Sequence, residues 1–363
     1  MQPRSREDTK DDWCFFESSC FRGCICAVTA GLILCGAGLA QIPQSPQFTD
    51  RVDVSRIVVD ARALDSMGRA IPGLGADDFS VSIGGKPMRV ESATWVGAGA
   101  APSISPLESG SSIPSDAAAL DGRLIVFMFQ KDLEPRRIGG LMRMLFRAKT
   151  FLDSFGPDDR VAVVSFDSHL KIWLDFTTDR APVRRILERG LLLESPRPIG
   201  DPVDAISLTR TLSQAAGRRA YPVEQALRLI GEALQPLPGS KSIILFGHGL
   251  GRYTAEGVMK EKGYDEAVAA LQRARAAVFS IDVTLADYHS LEVGLQAVSE
   301  ETGGFYERSF HFPDRTVQRL VGALAGHYVL IVDAADASPK RSDLSVKLTQ
   351  HSGTVLARTA AQR

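Results

Sequence analysis

The sequence predicts an α/β fold: a doubly wound, mostly parallel six-strand sheet inserted between the N- and C-terminal segments of a small β-sandwich. Three observations predict it. Continuous apolar runs at 124–129 (LIVFMF), 161–166 (VAVVSF), 242–246 (SIILF) and 277–283 (AVFSIDV) suit strands buried on both faces of a parallel sheet. Stretches with helical apolar spacing separate these runs, and period-two alternation marks the flanks, 52–97 and 326–360.

Residues 1–40 read as a signal peptide or N-terminal anchor. Arg22 precedes the apolar run 24–40, and Gly38-Leu39-Ala40 places small residues where a signal peptidase cuts. All five cysteines (Cys14, Cys20, Cys24, Cys26, Cys35) lie in this segment, so no disulfide framework supports the rest. Residues 41–51 are a polar linker. The β segment 52–97 alternates around Val52, Val54, Ile57 and Val59, then around Phe79, Val81 and Ile83, with a Gly84-Gly85 hairpin turn. Residues 98–121, rich in Gly, Ala, Ser and Pro, form a second linker.

The α/β domain spans 122–325. After its first strand, Pro135 starts a helix whose stripe runs through Ile138, Leu141, Leu145 and Leu152, opposite Arg136, Arg143 and Arg147. Leu170, Ile172 and Leu174 follow the second strand too closely for a crossover, which predicts an antiparallel hairpin partner. Helices are expected around 181–189, 222–234, 267–276, 291–301 and 313–324, with a short strand at 305–308. The stretch containing Asp201, Asp204, Thr209 and Thr211 shows no clear period. The C-terminal segment 326–360 carries three more candidate strands, expected to pair with 52–97.

With 42 basic and 43 acidic residues the formal charge is −1, which excludes a global nucleic-acid footprint. The loop 247–251 (GHGLG) lacks the spacing of a dinucleotide loop, and His248 stands where a nucleophile elbow needs serine. The six histidines show no zinc-ligand spacing. Tyr328 and Phe305 read as core residues.

Several segments resemble the von Willebrand factor A (VWFA) domain, specifically the acidobacterial VWFA-related family. They are Gly73-Leu74 through Asp77-Asp78-Phe79 with Gly84-Gly85-Lys86-Pro87, then 157–163 (PDDRVAV), 175–179 (DFTTD), 237–242 (LPGSKS), 301–304 (ETGG) and 326–330 (GHYVL). The resemblance covers about 52–358. It implies ligand binding at the carboxyl edge of the sheet, with a divalent cation held by Asp-x-Ser-x-Ser after the first strand, a middle-loop Thr and an Asp after the fourth strand. Here Gln130, Asp132 and Glu134 replace the Asp, Ser and Ser, with Lys131 beside them, and His248 stands near the last Asp. Thr209 and Thr211 are the candidates for the middle threonine. The metal-ion-dependent adhesion site is thus degenerate, and Lys131 and His248 disfavour a hard ion such as Mg2+ or Mn2+.

The expected function is protein–protein, matrix or envelope interaction by an exported protein, through an edge made of Gln130, Lys131, Asp132, Glu134, Thr209, Thr211 and His248. No cofactor and no catalysis are expected, the protein partner is unidentified, and membrane contact comes only through an uncleaved N-terminal segment. The alternatives are an exported hydrolase-like enzyme using His248 with Asp132 or Glu134, and a structural envelope protein with a vestigial site.

Overall fold

Buried apolar runs and alternating flanks become two different sheets in the computed structural model, which describes residues 56–97, 122–201, 204–335 and 343–361. The leader 1–40, the linker 41–51 and the linker 98–121 lie outside the described residues. Among the described residues, no helix is long and apolar enough to cross a membrane.

The N-terminal segment supplies β1 (Arg56–Leu64), β2 (Phe79–Ile83) and β3 (Lys86–Gly97). Next come β4 (Leu124–Gln130), α1 (Pro135–Leu152), β5 (Arg160–Phe166), β6 (Leu170–Thr177), α2 (Arg180–Arg185) and the short α3 (Leu191–Leu193). A π-helical turn, Ile186–Gly190, joins the last two where one helix was expected. After α4 (Gln214–Gly217) and α5 (Val223–Leu234), β7 (Lys241–Gly247) leads into β8 (Arg252–Thr254) and β9 (Gly257–Met259). That small hairpin has no apolar alternation to announce it. The order closes with α6 (Tyr264–Arg273), β10 (Ala276–Asp282), α7 (Glu292–Thr302), β11 (Tyr306–Arg308) and α8 (Pro313–Leu324). The C-terminal segment gives β12 (Gly326–Asp333), β13 (Leu344–Leu348) and β14 (Thr354–Ala357).

The first sheet is mixed, in the order β11-β10-β7-β4-β5-β6, and only β6 runs antiparallel to its neighbour. Side chains along β4 alternate between two cores, as strand geometry requires. Leu124, Val126 and Met128 pack with Leu227, Leu271 and Leu295 of α5, α6 and α7, while Ile125, Phe127 and Phe129 pack with Leu141 of α1 and Leu320 of α8. Both faces are therefore covered, which is why all seven β4 residues are buried.

The second sheet draws on both ends of the chain, in the order β13-β2-β3-β12-β1-β14. The hydrogen bonding gives one continuous strand order, and its end strands meet again where the Leu344 N–H donates to the Thr359 carbonyl. β3 provides the continuity: its start pairs with β2 and the rest with β12, with a register shift between Ile331 and Val332. Tyr328 sits at the centre of this sheet's core against Phe79 and Trp95, wholly buried. Its hydroxyl donates to the Ile71 carbonyl (2.7 Å) and accepts from the Leu74 amide (2.9 Å), fixing the loop between β1 and β2.

Candidate functional site

β4, β7 and β10 are neighbours, so the loops leaving their carboxyl ends share one edge of the mixed sheet. β4 ends in Gln130, which is buried. Its amide nitrogen donates to the Gly249 carbonyl (3.0 Å) and its amide oxygen accepts from the His248 N–H (3.0 Å). Both ends of the amide thus bracket the exit of the adjacent strand. Gly249 has φ +151, and a Cβ there would run into Leu291, so this close passage needs glycine.

The next residues are equally committed. The Lys131 ammonium lies 3.9 Å from the Asp167 carboxylate and 5.7 Å from the centre of the Trp173 ring. Asp132 accepts from the Glu134 N–H (3.0 Å) and pairs with the Arg137 guanidinium. Burial pushes the Asp132 carboxyl up, but the Glu134 N–H and Arg137 hold it below the ordinary carboxylate range. Glu134 is the N-cap of α1 and accepts from the Arg137 N–H (3.1 Å), with Pro135 at the first helical position. The arginine face of α1 is partly spent in the same way, since Arg143 donates to the Ser309 carbonyl and Arg147 pairs with Asp314.

His248 lies between these groups and β10. Burial, reinforced by the Arg137 charge, lowers its pKa to about 4, so the ring is neutral at neutral pH. Its Nε2 stands 4.0 Å from Asp132, beyond hydrogen-bond reach, and its Nδ1 is buried without a partner among the described residues.

Thr209 and Thr211 are not brought to this edge. The Thr209 hydroxyl donates to Asp175 (2.6 Å) on β6, close to Thr177, which pairs with Val161 at the start of β5. The Thr211 hydroxyl donates to the Ala233 carbonyl (3.3 Å) in the last turn of α5. Both therefore sit at the amino edge of the sheet, held there by Asp175 and by the end of a helix.

The edge gains residues the sequence reading did not select. Asp282 ends β10 and Glu292 begins α7, both buried, and His289 lies between them in the connecting loop. His289 Nε2 is 2.6 Å from Asp282 Oδ2, and the Tyr306 hydroxyl reaches Asp282 and Glu292 at 3.0 Å each. Arg308 donates to both Glu292 oxygens, at 2.9 and 2.5 Å. Burial pushes both carboxyls up, yet His289 for Asp282, and Arg308 with Tyr306 for Glu292, keep them below the usual range. The available signal was an acidic residue closing an otherwise apolar buried run.

The two groups differ as metal ligands. The oxygens of Gln130, Asp132 and Glu134 are engaged by the His248 N–H, by Arg137 and by the helix N-terminus, so they do not fit an octahedral magnesium or manganese shell. One ligand atom each from Asp282, His289 and Glu292 lies within 4.8 Å of the others. That mixed imidazole and carboxylate set suits a borderline ion such as zinc better than a hard one, and such an ion would have to displace Arg308 from Glu292 and His289 from Asp282.

No family model matches the chain, and no curated protein does. Among solved structures it is similar to BatB from Bacteroides thetaiotaomicron, at 16% identity over 56% of this chain and 98% of that one, with a TM-score of 0.36. An aerotolerance-related membrane protein from Bacteroides fragilis gives 16% identity, the same coverage and a TM-score of 0.37. Proximal thread matrix protein 1 of the mussel byssus, with a zinc-occupied MIDAS motif, gives 16% identity over 56% and 46% of the two chains, at 0.35. At TM-scores this low the likeness carries no argument about this chain.

Proposed function

We propose that the chain is an exported, doubly wound VWFA-like protein that binds a protein partner through the carboxyl edge of its mixed sheet, without using a metal at Gln130, Asp132 and Glu134. The carrying observation is the Gln130 bracket, which uses both ends of its amide to join the exits of β4 and β7. The side-chain oxygens beside it serve Arg137 and the start of α1, so the loop is a rigid platform with its cation-binding capacity spent. Binding is preferred to catalysis because His248 stands outside hydrogen-bond reach of Asp132. Co-purification from native envelope, with and without chelator, tests this reading. Equal recovery of one partner in both conditions is expected, with loss in a K131E variant; recovery abolished by chelator would overturn it.

A second reading rests on Asp282, His289 and Glu292, whose ligand atoms already converge. In that reading the edge binds zinc, and His289→Ala removes the binding. Calorimetric titration of the whole chain with zinc decides it. Absence of saturable heat leaves the cluster as a structural hydrogen-bond network.

A further inference from the structure

At the other edge of the mixed sheet, where its strands begin, a pocket of about 300 Å³ counting its mouth opens against β1. Its polar wall comes from Asp60 and Arg62 on β1, Ser240 before β7, Arg275 before β10, Thr302 at the end of α7 and Arg358 after β14. One carboxylate thus faces three guanidiniums. That carboxylate is already taken: Arg275, held at φ +53, donates to Asp60 at 2.8 and 2.5 Å.

Arg62 and Arg358 are left without an acid hydrogen-bonded to them among the described residues. Arg62 is 4% exposed; it makes one long contact (3.4 Å) to the Ser242 hydroxyl and lies 5.2 Å above the Phe279 ring. Burial lowers its pKa to about 10, which leaves it charged at neutral pH. Arg358 donates to the Val58 carbonyl at 2.7 Å and, at 3.5 Å, to that of Gln272. Its Nε is buried with no partner among the described residues, and so is the Ser240 hydroxyl. Neighbouring His327 adds no charge, because burial takes its pKa to about 4. Buried cations in excess of their acids are costly, and unpartnered buried donors ask for an acceptor.

We propose that this pocket binds a small oxyanion of the phosphate or sulfate class, received by Arg62, Arg358 and the Ser240 hydroxyl. Guanidinium forks match the oxygen spacing of such ions, and the enclosed space is far smaller than an organic ligand needs, which excludes a nucleotide. The occupant would tie β1 and the segment after β14 to the starts of β7 and β10. The proposal does not rely on the reading of the carboxyl edge.

The test uses the full chain in a buffer free of phosphate and sulfate, at constant ionic strength. Potassium phosphate, sulfate, acetate and chloride are titrated separately by calorimetry, and melting is followed in each. One saturable phosphate or sulfate per chain is expected, with a raised Tm and weaker responses to acetate and chloride. R358M should weaken oxyanion affinity at least about tenfold, since it removes a charge-assisted donor. S240A, which removes only a hydroxyl, keeps the test readable if R358M does not fold, and should weaken affinity a few-fold. Absence of saturable binding to the unmodified chain would overturn the proposal. So would chloride binding as tight as phosphate, or oxyanion affinity unchanged in both variants.

Discussion

At the carboxyl edge of the mixed sheet Asp132, Asp282 and Glu292 each have a cationic or imidazole partner, and the buried Glu224 accepts from the Gly251 N–H, whereas in the amino-edge pocket one acid answers for several guanidiniums. Asp132 has Arg137, Glu292 has Arg308 and Asp282 has His289. Asp60, by contrast, faces Arg62, Arg275 and His327 together. Those three acids at the carboxyl edge are locally neutralised. The amino-edge pocket depends on a single carboxylate, Asp60, while the buried Asp159 nearby serves Arg123, and that dependence gives the comparison its sharpest test. Asp60→Ala should cost about 3–5 kcal/mol, the usual range for stripping one partner from a buried pair. Asp132→Ala, with its side chain 32% exposed, should cost about 1 kcal/mol. Urea unfolding of the two variants checks both, and equal losses would break the distinction.

Acid should act on both edges at once. His248 and His327 each have a folded pKa of about 4 against an ordinary 6.5. Between those values the unfolded chain takes up protons that the folded chain refuses, so stability is full above pH 6.5 and falls toward pH 4. The ceiling is on the order of 3 kcal/mol per ring. Thermal melts from pH 7.5 to 4 should show H327Q and H248Q each flattening that slope; an unchanged slope in H248Q would mean the ring is solvated.

Gln130→Leu should cost roughly 2 kcal/mol, because it strands the His248 N–H and the Gly249 carbonyl. Hydrogen exchange should quicken at 247–251 in that variant while the core of β4 stays protected. The smallest effect is expected at the exposed Arg228–Glu232 pair of α5, where R228A should cost about 0.3–0.5 kcal/mol. A larger loss there would show that surface pairs weigh more in this protein than either edge comparison assumes.

The strands of the mixed sheet were legible because burial on both faces forces continuous apolar runs, as in 124–129 and 242–246. The antiparallel β6 was legible from a gap too short for a crossover. The loop 130–134 was legible as an edge because it follows such a run. Thr209 and Thr211 were not, since their stretch has no period and is positioned by side-chain bonds to Asp175 and the end of α5. The strand order around β3 escaped for a related reason: a register shift is a single-residue event that alternation does not encode. The arginine pocket was invisible, because residues 60, 62, 240, 275 and 358 meet only after both sheets have formed.

The pairing of Ile57 with Val332 and Ala61 with Tyr328 also has a kinetic meaning. β1 lies between β12 and β14, so neither of its hydrogen-bonding edges can be satisfied until the end of the chain arrives. Such distant pairings slow folding and leave open strand edges in the meantime. The intervening mixed sheet lowers that barrier if it forms first, because its compactness brings the two flanks together and shortens the effective loop. The α/β unit then serves as a splint for assembly, and the exposed lifetime of β1 is set by how fast that splint closes.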